Sequence, residues 1–258
     1  MLRTVAMLCL FAWVGLFSSG KAISAQRVIS LDLCTDWMLA RYADRGQVAA
    51  LSPMHRQYPA PWLDNSWPFH DGTLERIVQL KPDLVITGQY NAPQLRSRLK
   101  TLGFRVEVLP LPTNLEAVSD YEKQLLSLLG KPLTLASVPP ALMKSEERPK
   151  RLLLLGANGI GTGRGTFEDG ILERAGWTNY LRDEGYLRLD LERIVTDPPD
   201  AILWAAPTSK ALANRFSEHP VLRQAVARER WLTTDYWRWQ CPGPWTWELV
   251  GQLHRWLQ

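Results

Sequence analysis

The sequence predicts an α/β fold of two lobes with mainly parallel sheets, joined by a helical linker. Three observations carry this prediction. Short apolar segments alternate with helical patterns along the chain, a proline-interrupted charged segment divides it near the middle, and a ten-residue pattern recurs 117 positions after its first occurrence. Alternation of this kind is typical of strand-helix units built around a parallel sheet.

The first 25 residues have the layout of a secretory signal peptide. Arg3 supplies a basic start, an apolar run of about 13 residues follows, and small residues lead to Ala25. Because a membrane span needs about 20 residues, we expect cleavage after Ala25 rather than anchoring. Removal of the leader reduces the net charge from +4 to +2, which does not indicate nucleic-acid binding.

Residues 26–112 are predicted to form the N-terminal α/β lobe. Its strands are expected at 27–31, 47–51, 83–87 and 106–109, where nearly continuous apolar residues suit a sheet covered on both faces. Its helices are expected from about Thr35, over 74–80 and over 93–102.

Residues 113–150 are predicted to form the linker, and residues 151–258 the C-terminal α/β lobe. Thr113 and Glu116 make a capping-box pattern for a helix that ends before Gly130. In the second lobe, strands are expected at 151–155, 201–204 and 231–234, and helices at 167–175 and 244–257.

The ten-residue pattern supports two lobes of related topology. Residues 74–83 and 191–200 both begin Leu-Glu-Arg-Ile-Val, both end in Pro-Asp, and both precede an apolar strand. This repetition indicates that each lobe contains the same helix-turn-strand unit.

Open parallel sheets bind ligands beyond the carboxyl ends of their strands, so the loops at those ends define candidate ligand-binding residues in a cleft between the lobes. In the first lobe these are Cys34, Thr35, Asp36, His55, Arg56, Tyr58, Gln89 and Tyr90. In the second lobe they are Thr162, Arg164, Trp237, Arg238, Trp239 and Cys241.

The run 235–241 is the densest aromatic cluster of the chain. Aromatic faces can hold a flat ligand, and arginines between them can meet its acidic groups. The alternative is that Trp237 and Trp239 pack in the core. The glycines at 159–165 lack the lysine of a phosphate-binding loop, so we expect a flexible cleft loop there.

Cys34 and Cys241 lie at opposite ends of the chain, without the spacing of a zinc site. Three states are open for them. They can form a disulfide across the cleft, coordinate a soft metal or a haem iron as thiolates, or remain inert thiols.

Three segments resemble class III periplasmic binding proteins, the family that carries cobalamin, ferric siderophores and haem. They are the opening Arg-Val-Ile-Ser-Leu-Asp-Leu-Cys-Thr-Asp, the repeated unit with its Lys-Pro-Asp-Leu-Val-Ile continuation, and Trp-Gln-Cys-Pro-Gly-Pro-Trp-Thr at 239–246. The resemblance covers residues 27–258 and implies two α/β lobes joined by a long helix. Here that helix is shortened, because Pro132, Pro139 and Pro140 interrupt the region, and this leaves the stiffness of the hinge undecided.

The resemblance implies the periplasmic substrate-binding component of an ABC importer, a monomer that captures a metal-containing nutrient such as cobalamin or a ferric siderophore. We expect no cofactor of the protein's own and no metal site. For His55 and His70, axial or metal ligation is the alternative to a polar surface or core position. The resemblance also implies that Glu75 and Glu192 dock the two lobes onto the membrane permease. The alternative for these glutamates is a local pairing with Arg76 and Arg193.

Other functions on the same fold are a haem-binding protein and a sensor that does not transport. A secreted enzyme is not expected, because the sequence has no Ser-His-Asp order, no Gly-x-Ser-x-Gly elbow and no His-Glu-x-x-His helix.

Overall fold

The computed structural model describes residues 25–135, 149–205, 212–235 and 237–257. The expected signal peptide up to residue 24 and the middle of the expected linker lie outside these ranges. Within them, no helix is both long and apolar enough to cross a membrane.

The first lobe is built on a four-stranded parallel sheet. Its strands are β1 (Val28–Ser30), β2 (Val48–Ala50), β3 (Leu84–Gly88) and β4 (Val106–Leu109), and they lie in the order β2-β1-β3-β4. Its helices are α1 (Leu33–Tyr42), α2 (Leu74–Gln79) and α3 (Pro93–Thr101). The sequence predicted each of these elements to within two residues.

Helices cover both faces of this sheet, as its apolar strands require. Successive side chains of a strand point to opposite faces. Val28 therefore packs in one buried cluster with Trp37 of α1, whereas Ile29 packs in another with Ile77 of α2. This two-sided burial explains why the strands show no alternation of apolar and polar residues.

The second lobe is built on a mixed sheet of six strands. The strands are β5 (Arg151–Leu155), β6 (Ile160–Thr162), β7 (Thr178–Asn179), β8 (Tyr186–Arg188), β9 (Ala201–Trp204) and β10 (Trp231–Thr233). They lie in the order β10-β9-β5-β6-β8, and β7 pairs with β5. The prediction of parallel strands is confirmed for β5, β7, β9 and β10, whereas β6 and β8 run antiparallel to their neighbours.

The helices of the second lobe pack on both faces of its sheet. They are α5 (Phe167–Arg174), α6 (Leu191–Thr196), α7 (Pro220–Ala225), α8 (Trp237–Gln240) and α9 (Trp245–Leu257). Leu152 packs with Leu253 of α9, and Leu153 packs on the other side with Ile194 of α6.

Helix α4 (Glu116–Leu128) contributes to the cores of both lobes. Leu115, just before it, and Val118 pack in the core of the second lobe. Tyr121 and Leu125 pack in the core of the first lobe. The segment predicted as a linker therefore begins as a helix that both lobes bury.

The C-terminal segment connects the lobes a second time. Cys241 and Trp245 are buried in the core of the first lobe. Trp247 and Leu249, which follow in α9, are buried in the core of the second lobe. The hinge therefore does not depend on the shortened linker alone.

Candidate functional site

A disulfide joins Cys34 to Cys241, whose Cα atoms are 5.4 Å apart. Cys34 lies in the first turn of α1, just beyond the carboxyl end of β1, and Cys241 follows α8 beyond the carboxyl end of β10. The bond therefore holds the carboxyl edges of the two sheets close together at this point. Since ligands of open α/β sheets bind beyond such edges, the region between them is the candidate site.

The disulfide decides between the three states that the sequence left open for the cysteines. Bonded sulfurs have no thiolate to offer, so Cys34 and Cys241 are not metal ligands in this structure. They act instead as a covalent connection next to the candidate site.

Three tryptophans form a packed cluster beside this connection. Trp245 stacks on Trp62 and meets Trp37 edge-on, with the Trp37 and Trp245 ring centroids 5.9 Å apart. Each indole N–H donates to a carbonyl, at Tyr58 for Trp37, at Trp37 for Trp62 and at Cys241 for Trp245. Because every indole N–H is satisfied within the fold, the cluster stabilises the structure and needs no ligand to complete it.

Residues 237–240 of the predicted aromatic run form helix α8. Trp239 is half-buried against the core of the second lobe, and its indole N–H donates to the Thr234 hydroxyl at 2.7 Å. The side chain of Trp237 lies outside the described part of the chain. Of the two alternatives for Trp239, the structure favours packing.

Thr35 and Asp36 are fully buried, and this corrects their prediction as ligand contacts. The Thr35 hydroxyl hydrogen-bonds with Ser30 and Asp32. The Asp36 carboxyl group accepts from the Ser52 N–H at 2.8 Å and the Ser52 hydroxyl at 2.6 Å. Burial raises the pKa of Asp36 to about 8, so this group is mostly protonated at neutral pH. Both side chains hold the loops of the first lobe together.

His55 and Arg56 follow β2 but differ in accessibility. His55 is buried, with Nδ1 2.6 Å from the Ser52 carbonyl and with no hydrogen-bond partner for Nε2 among the described residues. Arg56 is exposed, and its guanidinium lies 4.8 Å from the centre of the Phe69 ring. Tyr58 is half-buried. Arg56 is therefore the cation that this loop offers to a ligand.

Two exposed aromatic side chains lie at the carboxyl edge of the first sheet. Tyr90 follows β3 together with half-buried Gln89, as predicted, and is 76% exposed. Phe69 is 43% exposed and pairs with Leu51, one residue beyond β2. Phe69 is not among the predicted contacts, because it precedes α2 and does not directly follow a strand.

The second lobe has an aromatic residue at the matching position. Tyr186 lies 117 residues after Phe69, and each is six residues before the glutamate of its repeated unit. Tyr186 is 65% exposed, and β8 lies level with the carboxyl end of β5, because Gly161 pairs with both strands. Extending the repeat backwards by five residues would have identified both aromatic positions from the sequence.

The predicted polar contacts of the second lobe are partly engaged within the fold. Thr162 is buried. Arg164 is exposed, and its guanidinium donates to the carbonyl of Arg182. Arg238 lies 3.2 Å from the carboxylate of Glu248. Arg164 is the most accessible of the three.

The glycine-rich loop at 159–165 is held in place rather than flexible. The Gly163 N–H donates to the carbonyl of Gly185 at 2.7 Å, and the Arg164 N–H donates to that of Asp183 at 2.9 Å. A Cβ atom on Gly163 would collide with the Asp183 carbonyl. The glycine therefore permits a close approach of two backbone segments.

Glu75 and Glu192 occupy the same position in the two lobes. Glu75 lies in the first turn of α2, capped by Thr73, and Glu192 lies in the first turn of α6, capped by Asp190. Both glutamates are exposed, and among the described residues neither forms an ion pair with its adjacent arginine.

No cluster of three or more histidine, cysteine, aspartate or glutamate side chains that could hold a metal ion occurs among the described residues.

Three solved structures with a similar fold are named as periplasmic binding proteins. A possible iron-binding, periplasmic solute-binding protein from Staphylococcus epidermidis is 19% identical, with a TM-score of 0.68 over 90% of this chain and 98% of the other. A periplasmic haem-binding protein from Pseudomonas aeruginosa is 21% identical, with a TM-score of 0.65 over 90% and 92%. A periplasmic vitamin B12 binding protein of Vibrio cholerae is 20% identical, with a TM-score of 0.62 over 90% and 96%.

These likenesses show the two-lobed fold, and they confirm the fold that the resemblance implied. No family model matches the chain, and no curated protein matches its sequence.

Proposed function

We propose that this protein is the periplasmic substrate-binding component of an ABC importer, and that it captures a metal-containing nutrient between its lobes. One observation carries the proposal. Each lobe combines an exposed aromatic side chain, Phe69 or Tyr186, with an exposed glutamate six residues later. The solved proteins of this fold, whose names state iron, haem or vitamin B12 binding, support it.

The accessible side chains of the candidate site suit a flat or broad metal complex with acidic substituents. Phe69, Tyr90 and Tyr186 offer aromatic surface, and Arg56 and Arg164 offer positive charge. Cobalamin, a ferric siderophore and haem share these features. The iron or cobalt then arrives with the ligand as cargo, and the protein keeps no cofactor of its own.

Glu75 and Glu192 are the proposed contacts to the inner-membrane permease. Charges placed on both lobes fix orientation and accelerate encounter more than they add affinity. A monomer exported after cleavage behind Ala25 would present both glutamates to the membrane.

The experiment is a titration of the mature protein with cyanocobalamin, haemin and a ferric catecholate, followed by tryptophan fluorescence and calorimetry. Iron-free catecholate and iron-free porphyrin are the controls. We expect saturable one-to-one binding of one class with micromolar or tighter affinity. Saturation by none of the three would refute capture of a metal complex.

A further inference from the structure

A five-residue connector links the candidate site to the docking helix of the first lobe. It begins at Phe69, whose ring is exposed at the sheet edge, and ends at Thr73, the N-cap of α2. Within it, the His70 N–H donates to the carbonyl of Leu51 at 3.1 Å. Glu75 follows in the first turn of α2, so the position of this glutamate depends on how the connector is held.

His70 holds the connector with both nitrogens of its ring. The ring is 2% exposed, and Nε2 lies 2.8 Å from the carbonyl oxygen of Ser30 at the end of β1. Nδ1 lies 2.9 Å from the backbone nitrogen of Gly72 and accepts its N–H. These partners require the neutral tautomer with its proton on Nε2. A second proton on Nδ1 would turn the acceptor for Gly72 into a donor.

The second lobe holds the matching amide in a different way. Leu189, 117 residues after Gly72, donates its N–H to the backbone carbonyl of Gly159 at 3.0 Å. Asp190 then caps α6, ahead of Glu192. A backbone carbonyl does not titrate. The Leu189 contact therefore does not depend on protonation, whereas the Gly72 contact of the first lobe does.

The groups around His70 set the pH at which it protonates. Burial has the largest effect and lowers its pKa. The Ser30 carbonyl and Asp71 oppose this, whereas His55 adds to it. Asp36, which is buried and hydrogen-bonded to Ser30, is mostly neutral at pH 7. Protonation of His70 is thus expected below the ordinary histidine value of about 6.5.

We propose that His70 is a positioning residue for Glu75, and that its protonation loosens the docking helix of the first lobe while that of the second lobe stays in place. The biological meaning of this rests on the proposed docking role of the glutamates. The structural part, release of α2 by a proton on His70, does not. Acidification would then weaken one of two otherwise matched contacts to the permease.

The test is amide hydrogen exchange of the mature protein between pH 7.5 and pH 4.5, with every rate divided by its intrinsic rate. We expect residues 70–79 to lose protection by up to about tenfold per pH unit between about pH 6.5 and the lowered pKa of His70 in the folded protein, as linkage to one proton requires. Residues 187–196 serve as the internal control and should keep their protection. Equal loss of protection in both segments, or in neither, would overturn the proposal.

His70→Asn is the matched variant, because its side-chain oxygen can accept the Gly72 N–H near the position of Nδ1 and does not titrate. Exchange of residues 70–79 should then become independent of pH. If this variant does not fold, nuclear magnetic resonance of the wild-type protein decides the question. The Gly72 amide shift should titrate with the same midpoint as the His70 ring, and different midpoints would contradict the proposal.

These measurements use the isolated protein, so they stand apart from the docking assay. If residues 70–79 lose protection at low pH as expected but the glutamate reversals leave uptake unchanged, docking is rejected and the role of His70 in holding α2 is kept. If the reversals abolish uptake but the protection of residues 70–79 does not depend on pH, only the role of His70 is rejected.

Discussion

The indole ring of Trp245 stacks on that of Trp62, with ring centroids 5.0 Å apart and planes at 25°. Trp62 belongs to the first lobe, whereas Trp245 begins the helix that completes the core of the second. This contact and the neighbouring disulfide tie the C-terminal helix to the first lobe. The two lobes are therefore joined by side-chain packing as well as by the chain.

Replacing Trp245 by alanine is expected to lower the free energy of unfolding by about 3–5 kcal/mol, because the ring is almost fully buried. Urea denaturation followed by circular dichroism measures the change. The matched control is Trp256→Ala, because Trp256 is only half-buried in the second lobe and should cost less. A larger loss for Trp256 would contradict the structural role assigned to Trp245.

The disulfide between Cys34 and Cys241 is expected to stabilise the mature protein by about 3–5 kcal/mol, because it closes a loop of roughly 200 residues in the unfolded chain. The double variant Cys34→Ala, Cys241→Ala should show this loss in denaturation experiments. Wild-type protein treated with a reductant should approach the stability of the variant, and the variant should not respond to the reductant. A wild-type protein with two titratable thiols would contradict the bond.

Phe69→Ala and Tyr186→Ala are expected to weaken ligand binding by about tenfold each, because each removes aromatic surface at a sheet edge. Calorimetric titration with the ligand class that the wild-type protein binds measures this. Leu102→Ala is the control, since Leu102 is also exposed but lies at the far end of α3. Unchanged affinity in both aromatic variants would remove them from the site.

Glu75→Arg and Glu192→Arg are expected to reduce uptake in cells by at least about tenfold and to leave ligand affinity unchanged, because reversed charges repel the permease surface that the glutamates attract. Glu173→Arg is the control, since Glu173 is exposed on α5, which packs on the face of the second sheet opposite to α6. If uptake survives both reversals, the docking role fails.

Asp36 should make the stability of the protein fall as the pH rises from about 4 to 8. Its pKa is raised to about 8 in the folded state, so the folded protein retains a proton that the unfolded chain releases above about 4. The stabilising contribution of Asp36 is fully present below its pKa in the unfolded chain, about 4, and is lost as the pH rises through its pKa in the folded protein, about 8.

The variant Asp36→Asn can keep both contacts with Ser52 and should flatten this dependence. Denaturation curves at pH 5, 7 and 8.5 test the expectation. Ligand affinity should not change, because Asp36 is fully buried. An unchanged or steeper pH dependence in the variant would show that the buried carboxyl group is not the source.

The sequence by itself determined the strands and helices of the first lobe, the two-lobed fold and the repeated unit. These features are local: a buried parallel strand needs a run of apolar residues, and a helix shows its own periodicity and end signals. The matching positions of Glu75 and Glu192 were visible for the same reason.

The tertiary structure decided which polar and aromatic side chains are accessible. Thr35 and Asp36 follow a strand end like any candidate contact, but Ser30 and Ser52, brought close by the fold, satisfy their polar groups in the interior. Phe69 lies exposed because its segment pairs with the end of β2. The accessibility of a side chain depends on contacts between residues that are distant in sequence. Local sequence patterns do not determine which distant residues come into contact.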